Sequence, residues 1–410
     1  MMRTSKTYKR WQLSGILMLL MMLVACSSGD DVQSEKAVLK IYVFPPDHPI
    51  VTRADNATPN VSPLDGESTI HTLQVWVFEH HEAGDQDADK DGAIVGYISL
   101  DNIDISGAAN GTEVLMNITD PSFVTRQPNV DVYVMANVTE SNCGLELDGN
   151  STRDELDAAM IGDTKFGIKS VESVVKTIPN GVGLPMSGVR KNLEVFGTSP
   201  VFGVGSKSTN QLTNVKLVRA VSKVHFVFCS SKNDVGHTVD NISIDGATFP
   251  TSEYLFLNDD YLATGGLGYR YKVGDTYESG DKTIMNTSTV IIPITSDDKD
   301  PSSYEWTNQS GQEYETLIAG GITANDLNDL GTYYLRESDK QITGVITYDG
   351  DRTATFSLRD AGDFGRNHTW IVYAYFKYGI GLNVVTVKVK DWQSIDDPQS
   401  NPDSNEVYNW

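Results

Sequence analysis

The residues most suggestive of chemistry lie in Glu79–Gly92, which reads EHHEAGDQDADKDG. Asp87, Asp89, Asp91 and Gly92 follow the D-x-D-x-D-G opening of a calcium loop, where alternate carboxylates converge on a hard cation and glycine permits the turn. Such a loop closes with a bidentate Glu at its twelfth position, and Ile98 stands there instead. The flanks also read as strands. A solvated acidic hairpin loop is the expectation, calcium at Asp87, Asp89 and Asp91 is the competing reading, and no other cofactor is implied. His80 and His81 are adjacent, so on a strand they point to opposite faces and form a poor zinc pair.

Other catalytic constellations are missing from the sequence. Gly203–Ser208 (GVGSKS) lacks the G-K-[ST] core of a phosphate loop, because Ser206 separates glycine from lysine, and it reads as a linker. No G-x-S-x-G, H-E-x-x-H or Cys–His arrangement occurs. With 55 acidic residues some carboxylates must be neighbours, so paired acids carry no glycosidase signal. Tyr254, Tyr269, Tyr271 and Tyr304 could stack on sugars, but residues of this type more often belong to strand faces. The chain is read as non-enzymatic.

Cys26 carries a different chemistry. Residues 1–25 hold Arg3, Lys6, Lys9 and Arg10 and no acid, and the apolar run Ile16–Ala25 is too short to span a bilayer. Leu23-Val24-Ala25-Cys26 fits a bacterial lipoprotein signal, with small residues for the peptidase and a thiol to accept lipid. A plain secretory signal with an incidental cysteine is the lesser reading. Everything after Cys26 is then placed outside the cytoplasm, away from ATP and reduced nicotinamide cofactors. Three cysteines in 410 residues build no disulfide scaffold; Cys143 and Cys229 could pair under oxidising conditions, but two small buried residues is the leading expectation. The net charge of −23 excludes nucleic acid, whose phosphates require Lys and Arg.

The elements that must position these residues are strands. The length suggests two or three domains. Period-two alternation runs through Ala37–Phe44, Thr72–Phe78, Ile94–Leu100, Glu113–Ile118, Val130–Val138 and Asn214–Phe228. It returns at Thr289–Ile294, Gln341–Thr347, Thr353–Leu358, Thr369–Phe376 and Leu382–Val389, with Gly, Asn, Asp and Pro between the runs. The pattern predicts a mostly β chain of antiparallel sandwiches. Thr152–Glu155 has the form of a capping box opening one short helix, and Thr323–Leu330 is a second helical candidate. Pro185–Lys191 and Gly197–Asn214 read as linker. The long run Val215–Phe228, with Arg219 and Lys223 inside it, is expected to serve two domains, closing the first near Val218 and opening the second.

The two terminal regions make an unusual pair. Ala37–Phe44 is an apolar strand, and Pro45, Pro46, Pro49, Pro59 and Pro63 bracket Arg53-Ala54, where a protease would meet extended backbone. Cutting there would release a strand bearing Val38, Leu39, Ile41 and Val43 and open a groove able to capture a strand from another chain. Leu382–Lys390 offers one, with Val385, Val387 and Val389 on one face; Trp392 follows, and the sequence ends Val407-Tyr408-Asn409-Trp410. Ordinary strands of a mature monomer remain the equal alternative from spacing.

Taken in order, several segments resemble the Bacteroidetes fimbrillins, the major fimbrial subunit or type V pilin family. They are the lipobox at Cys26, the trypsin-like site at Arg53–Ala54, Leu73–Phe78, Val132–Asn137, Leu184-Pro185-Met186-Ser187-Gly188, Leu217–Val224, Asn367-His368-Thr369-Trp370 and the Trp-terminated tail. The resemblance implies two transthyretin-like (Greek-key, Ig-like) β-sandwich domains with one or two short helices. It divides the chain into a signal peptide (1–25), a lipidated propeptide (26–53), an N-terminal domain (54–218) and a C-terminal domain (219–410). It further implies an outer-membrane lipoprotein precursor lipidated at Cys26 and cut after Arg53 by an arginine-specific surface protease. Polymerisation with other fimbrial subunits would use donor strands from 382–410, through Leu382, Val385, Val387, Val389, Trp392, Val407 and Trp410. Such surface fibres support adhesion and biofilm formation through a receptor the sequence does not identify. The polar, proline-broken stretch Gln393–Glu406 departs from a compact donor, which leaves stalk, tip and anchor positions open. A surface glycan-binding lipoprotein of a polysaccharide-uptake system is the alternative of a different class.

Overall fold

The computed structural model describes residues 37–45, 66–105, 111–138, 146–162, 181–231, 236–256, 273–293, 328–358, 364, 366, 369–377 and 381–389. The chain is mostly β, with two short α-helices among the described residues. Its first half holds β1 (Val38–Phe44), β2 (Leu73–His80), β3 (Ile94–Leu100), β4 (Thr112–Asn117), β5 (Asn129–Ala136) and β6 (Met160–Gly162). Then come β7 (Met186–Thr198), β8 (Val201–Ser206), β9 (Gln211–Leu212), β10 (Asn214–Lys216) and β11 (Val218–Arg219). The second half holds β12 (Ser222–Ser230), β13 (His237–Ile244), β14 (Ser252–Tyr254), β15 (Lys282–Met285) and β16 (Thr289–Ile291). It ends with β17 (Asn328–Leu335), β18 (Ile342–Tyr348), β19 (Arg352–Leu358), β20 (Thr369–Lys377) and β21 (Gly381–Val389).

Helix α1 (Pro121–Arg126) starts at Asp120, whose side chain accepts from the Ser122 amide, with Pro121 at the first helical position where a missing N–H costs nothing. Helix α2 (Arg153–Asp157) carries the expected capping box: Thr152 accepts from the Glu155 amide and Glu155 accepts from the Thr152 amide. The second helical candidate fails in its described part, because Asn328–Leu330 belong to β17; residues 323–327 lie outside the described residues. There the backbone pairing with β12, from Asn328 opposite Phe228 to Leu335 opposite Ser222, outweighs a weak helical spacing.

In the first half β7 joins two layers. Its opening residues pair with β5, and Glu194–Thr198 pair with β8. The bend falls where the β5 register slips, at Asn192, a left-handed residue whose amide donates to Asp131 at 2.9 Å. One layer reads β3-β2-β5-β7 and the other β7-β8-β1-β4. The second half stacks β17-β12-β20-β21 on β15-β13-β18-β19, and Val224, Phe226, Trp370 and Val372 of one sheet meet Ile242, Ile346 and Phe356 of the other.

The two halves repeat one arrangement. The order β4-β1-β8-β7 runs antiparallel, parallel, antiparallel, and β17-β12-β20-β21 has the same senses. Strand β12 therefore occupies in the second half the place that β1 occupies in the first.

One expectation from the sequence needs correction here. The segment read as linker is the hairpin β7–β8. Its glycines serve close approach: a Cβ on Gly203 would stand 2.5 Å from Leu212, and one on Gly188 2.6 Å from the Lys216 carbonyl. The run Val215–Phe228, too long for one strand in one sheet, divides among β10, β11 and β12, because successive parts pair with β1, with β7, and with β17 and β20.

Buried charge sits where the halves meet. Glu67 bonds Lys223 at 2.8 Å and accepts from the Tyr334 hydroxyl at 2.7 Å, while Arg219 donates to the Glu67 carbonyl at 2.9 Å. Glu67, Lys223 and Arg219 are fully buried. Burial lowers the Lys223 pKa, against the pull of Glu67. Nearby, Leu255 and Phe256 from the second half enter the first core, where Phe256 meets Tyr133 edge-on at 5.4 Å. Glu67→Ala strands a buried ammonium, so urea unfolding of this variant should show a loss of about 3–5 kcal/mol. A loss below about 1 kcal/mol would mean that water reaches Lys223.

Candidate functional site

Strand β1 is the feature most unlike an ordinary strand, and its pattern explains its placement. In VLKIYVF the buried residues are Leu39 (0% exposed), Ile41 (1%) and Val43 (1%), while Val38, Lys40, Tyr42 and Phe44 lie half-buried on the other face. Each of the three aliphatic side chains contributes about 1.5–3 kcal/mol by leaving water. They sit in one core with Val114 and Met116 of β4, Phe202 and Val204 of β8, and Val215 of β10.

Both edges of β1 are used. On one side β4 runs antiparallel, with Val38 opposite Asn117 through Val43 opposite Thr112. The other side is shared in parallel by β8, along Val38–Lys40, and β10, along Tyr42–Phe44. Loop bonds close its ends: Val38 donates to the Pro200 carbonyl at 2.8 Å, and the Leu217 amide donates to the Phe44 carbonyl at 2.9 Å. Taking β1 away would leave three strands with unmade backbone bonds around an apolar trench. On the outer face Lys40 bonds Glu113 at 2.5 Å and the Tyr42 hydroxyl donates to it at 3.1 Å. The bond to Lys40 holds the Glu113 carboxyl below its ordinary value, and that to Glu113 raises Lys40.

The sequence singled out Leu39, Ile41 and Val43 with Val38, and the structure brings the first three together and turns Val38 to the opposite face. It missed the walls made by β8 and β10. The signal available was the apolar alternation of Val195, Phe202 and Val204 flanking a Ser-Pro turn, masked by the glycines. Cys26, Arg53, Ala54, Cys143, Trp392, Val407 and Trp410 lie outside the described residues, as do Tyr269, Tyr271 and Tyr304; Cys229 is buried on β12. Tyr254 is half-buried on β14, which pairs with β6 of the first half. Leu382, Val385, Val387 and Val389 belong to β21, whose backbone pairs antiparallel with β20 from Gly381 to Val389. Among the described residues β21 ends its sheet.

The acidic loop joins β2 to β3 and folds around a 3-10 turn at Ala88–Lys90. Its carboxylates meet protein cations: Asp87 lies 3.2 Å from Lys90, and Asp91 is gripped by both terminal nitrogens of Arg153, which also reaches Asp131 at 3.0 Å. Asp89 is exposed. The Arg153 pair brings Asp91 down to about 2. Glu79 binds Arg126 at 2.6 Å; burial opposes its charge, yet Arg126 and His81 together keep its pKa lowered. His80 and His81 go to different acids, Asp131 at 2.8 Å and Glu79 at 2.9 Å. A cleft of about 380 Å³ beside the loop is lined by His80, His81, Asp87, Arg126, Asn129 and Asn192. Among the described residues no group of three or more His, Cys, Asp or Glu is placed to hold a metal ion.

No protein-family model and no curated protein sequence matches the chain. Solved structures do. The structural neighbours are Bacteroidetes fimbrial and candidate cell-adhesion proteins. A candidate cell-adhesion protein from Parabacteroides distasonis is 14% identical, with TM-score 0.48, over 88% of this chain and 98% of that one. The tip fimbrial protein Mfa3 from Porphyromonas gingivalis is 11% identical, with TM-score 0.39, over 86% and 100%. A candidate polysaccharide-binding protein from Bacteroides thetaiotaomicron is 12% identical, with TM-score 0.37, over 86% and 95%.

A depressed carboxyl stabilises above its unfolded value and loses that contribution as pH falls through the folded one. Asp91→Asn should therefore lower the melting temperature at pH 7 and converge on the parent chain near pH 2, read by circular dichroism. With Lys90 and Arg153 already on Asp87 and Asp91, millimolar calcium should leave the melting temperature unchanged; a rise of several degrees would favour the calcium reading.

Proposed function

We propose that the chain is a structural subunit of surface fimbriae, exported as a lipoprotein on Cys26, cleaved after Arg53 and assembled by donor-strand exchange. The observation that carries this reading is the position of β1. It is paired on both edges and fills the first core, yet it joins the rest of its half only through the segment 46–65, which contains Arg53. In the second half the equivalent strand, β12, runs on to β13 through residues 231–236, a short connection with neither arginine nor proline. A half-sandwich lacking β1 is an acceptor, since open strand edges and apolar pockets are costly in water.

The same reading takes residues 54–218 and 219–410 as the two assembled domains, each a transthyretin-like sandwich, and the C-terminal region as donor. Strand β21 suits that part because it pairs on one edge in its own sheet and would pair on two in the groove. Trp392, Val407 and Trp410 would extend the grip. The resulting fibre would serve adhesion and biofilm formation, with other fimbrial subunits and an arginine-specific surface protease as partners.

Purified precursor treated with an arginine-specific protease should form SDS-resistant ladders, and Arg53→Ala precursor should not. Ladders of equal length from both chains would refute the cleavage step. A second expectation separates β1 from every permanent core strand. Leu39→Ala or Ile41→Ala should destabilise the uncleaved chain by about 2–5 kcal/mol and leave the melting of cleaved, assembled polymer unchanged. Polymer weakened to the same extent would show that β1 is never replaced.

A further inference from the structure

Among the described residues the outer rim of the β1 trench carries one acid, Glu113, and its surroundings define what an incoming strand must present. Glu113 stands directly opposite Tyr42 in the β4 register and reaches diagonally to Lys40. Its β4 neighbours on that face are Leu115 and Asn117, both exposed and uncharged. Across the trench the residues level with Lys40 and Tyr42 are Gly203 and Asn214, which offer no charge. Lys40 and the Tyr42 hydroxyl are thus the resident partners of this carboxylate, and both leave with β1. The emptied trench keeps three apolar pockets at alternate positions with a single negative charge level with the place of Tyr42.

The second copy's β21 has one register that satisfies those pockets. Placing Val385, Val387 and Val389 where Leu39, Ile41 and Val43 sit keeps the period of two and the parallel sense to β8 and β10. A shift of two residues one way puts Asn383 into the first pocket, and the other way puts Asp391 into the third, each burying a polar group without a partner. A shift of one residue turns Thr386 and Lys388 into the core. In the allowed register Lys388 takes the place of Tyr42, directly opposite Glu113, and Thr386 takes that of Lys40. Lys390 would lie level with Phe44, beside Lys216 at the solvated end, where a like-charge contact costs little.

Resting on the donor-strand reading above, we propose that Glu113 is the specificity-determining residue of the acceptor groove and selects a strand from a second copy of this chain by pairing with Lys388. Directly opposed cross-strand charges attract or repel according to sign, so the carboxylate both favours a basic strand and rejects an acidic one at that position.

The test uses full-length chain treated with arginine-specific protease, then quenched, and a fluorescent peptide covering residues 381–391. The parent chain should bind the parent peptide about fivefold more tightly than the Lys388→Glu peptide, and 1 M salt should shrink the difference. Glu113→Lys should invert the preference, and Glu113→Gln, which keeps shape and removes charge, should abolish it. Equal binding of both peptides by parent and Glu113→Lys chains overturns the selector and leaves the groove standing. Failure of any chain to bind either peptide, with no ladder formed, overturns the groove reading and the selector with it.

Discussion

Backbone hydrogen bonding at β1 governs the first half of this molecule. A strand inside a sheet satisfies its own amides and carbonyls and those of its two neighbours, so removing it leaves both sides exposed. Here the neighbours are β4 on one edge and β8 with β10 on the other, and the strand between them also supplies Leu39, Ile41 and Val43 to the core. The hydrophobic and hydrogen-bonding contributions coincide on seven residues. Whatever fills that place must be extended, aliphatic at alternate positions and parallel to β8. In the second half β12 takes the equivalent place, and its buried Val224, Phe226 and Phe228 correspond to the β1 core residues.

The buried charges at the junction bear on the same constraint. Glu67 lies just after the segment that contains Arg53, and it is fastened to Lys223 on β12 and Tyr334 on β17. A buried ion pair contributes little net stability compared with apolar packing, but losing one partner is costly, so the pair holds its position strictly. A further buried group acts alike. Arg366 bonds Glu337 at 2.5 Å and the Leu255 carbonyl at 2.9 Å, while burial pushes Glu253 up to about 8. Leu255 and Phe256, inserted in the first core, are thereby anchored from the second half. Loss of β1 would thus perturb one layer of one half while the junction stays fastened.

Much of this was legible along the chain. Strands with unbroken alternation, such as Val38–Phe44 and Ile342–Tyr348, fall where the pattern places them, because period two leaves a half-buried strand little freedom. The capping box at Thr152–Glu155 is local chemistry and forms locally. Beside these, β7–β8 was hidden by Gly188, Gly197, Gly203 and Gly205, residues that in isolation mean flexibility and here mean close packing. The cations that meet the acidic loop, Arg126 and Arg153, are remote in sequence, so its ion pairs could not be read from the loop alone.

The amino-acid sequence by itself determined which face of each short strand is apolar, the alternation of Leu39, Ile41 and Val43, and the basic, proline-flanked connection at Arg53, since these depend on residue type and near neighbours alone. Only the tertiary structure decided that β1 is enclosed on both edges, that its walls are β4, β8 and β10, and that Glu113 faces Lys40 and Tyr42. The physical reason is that strand pairing joins residues remote in sequence, such as Val43 with Thr112 and Tyr42 with Asn214, and no local periodicity specifies which edge a strand will meet.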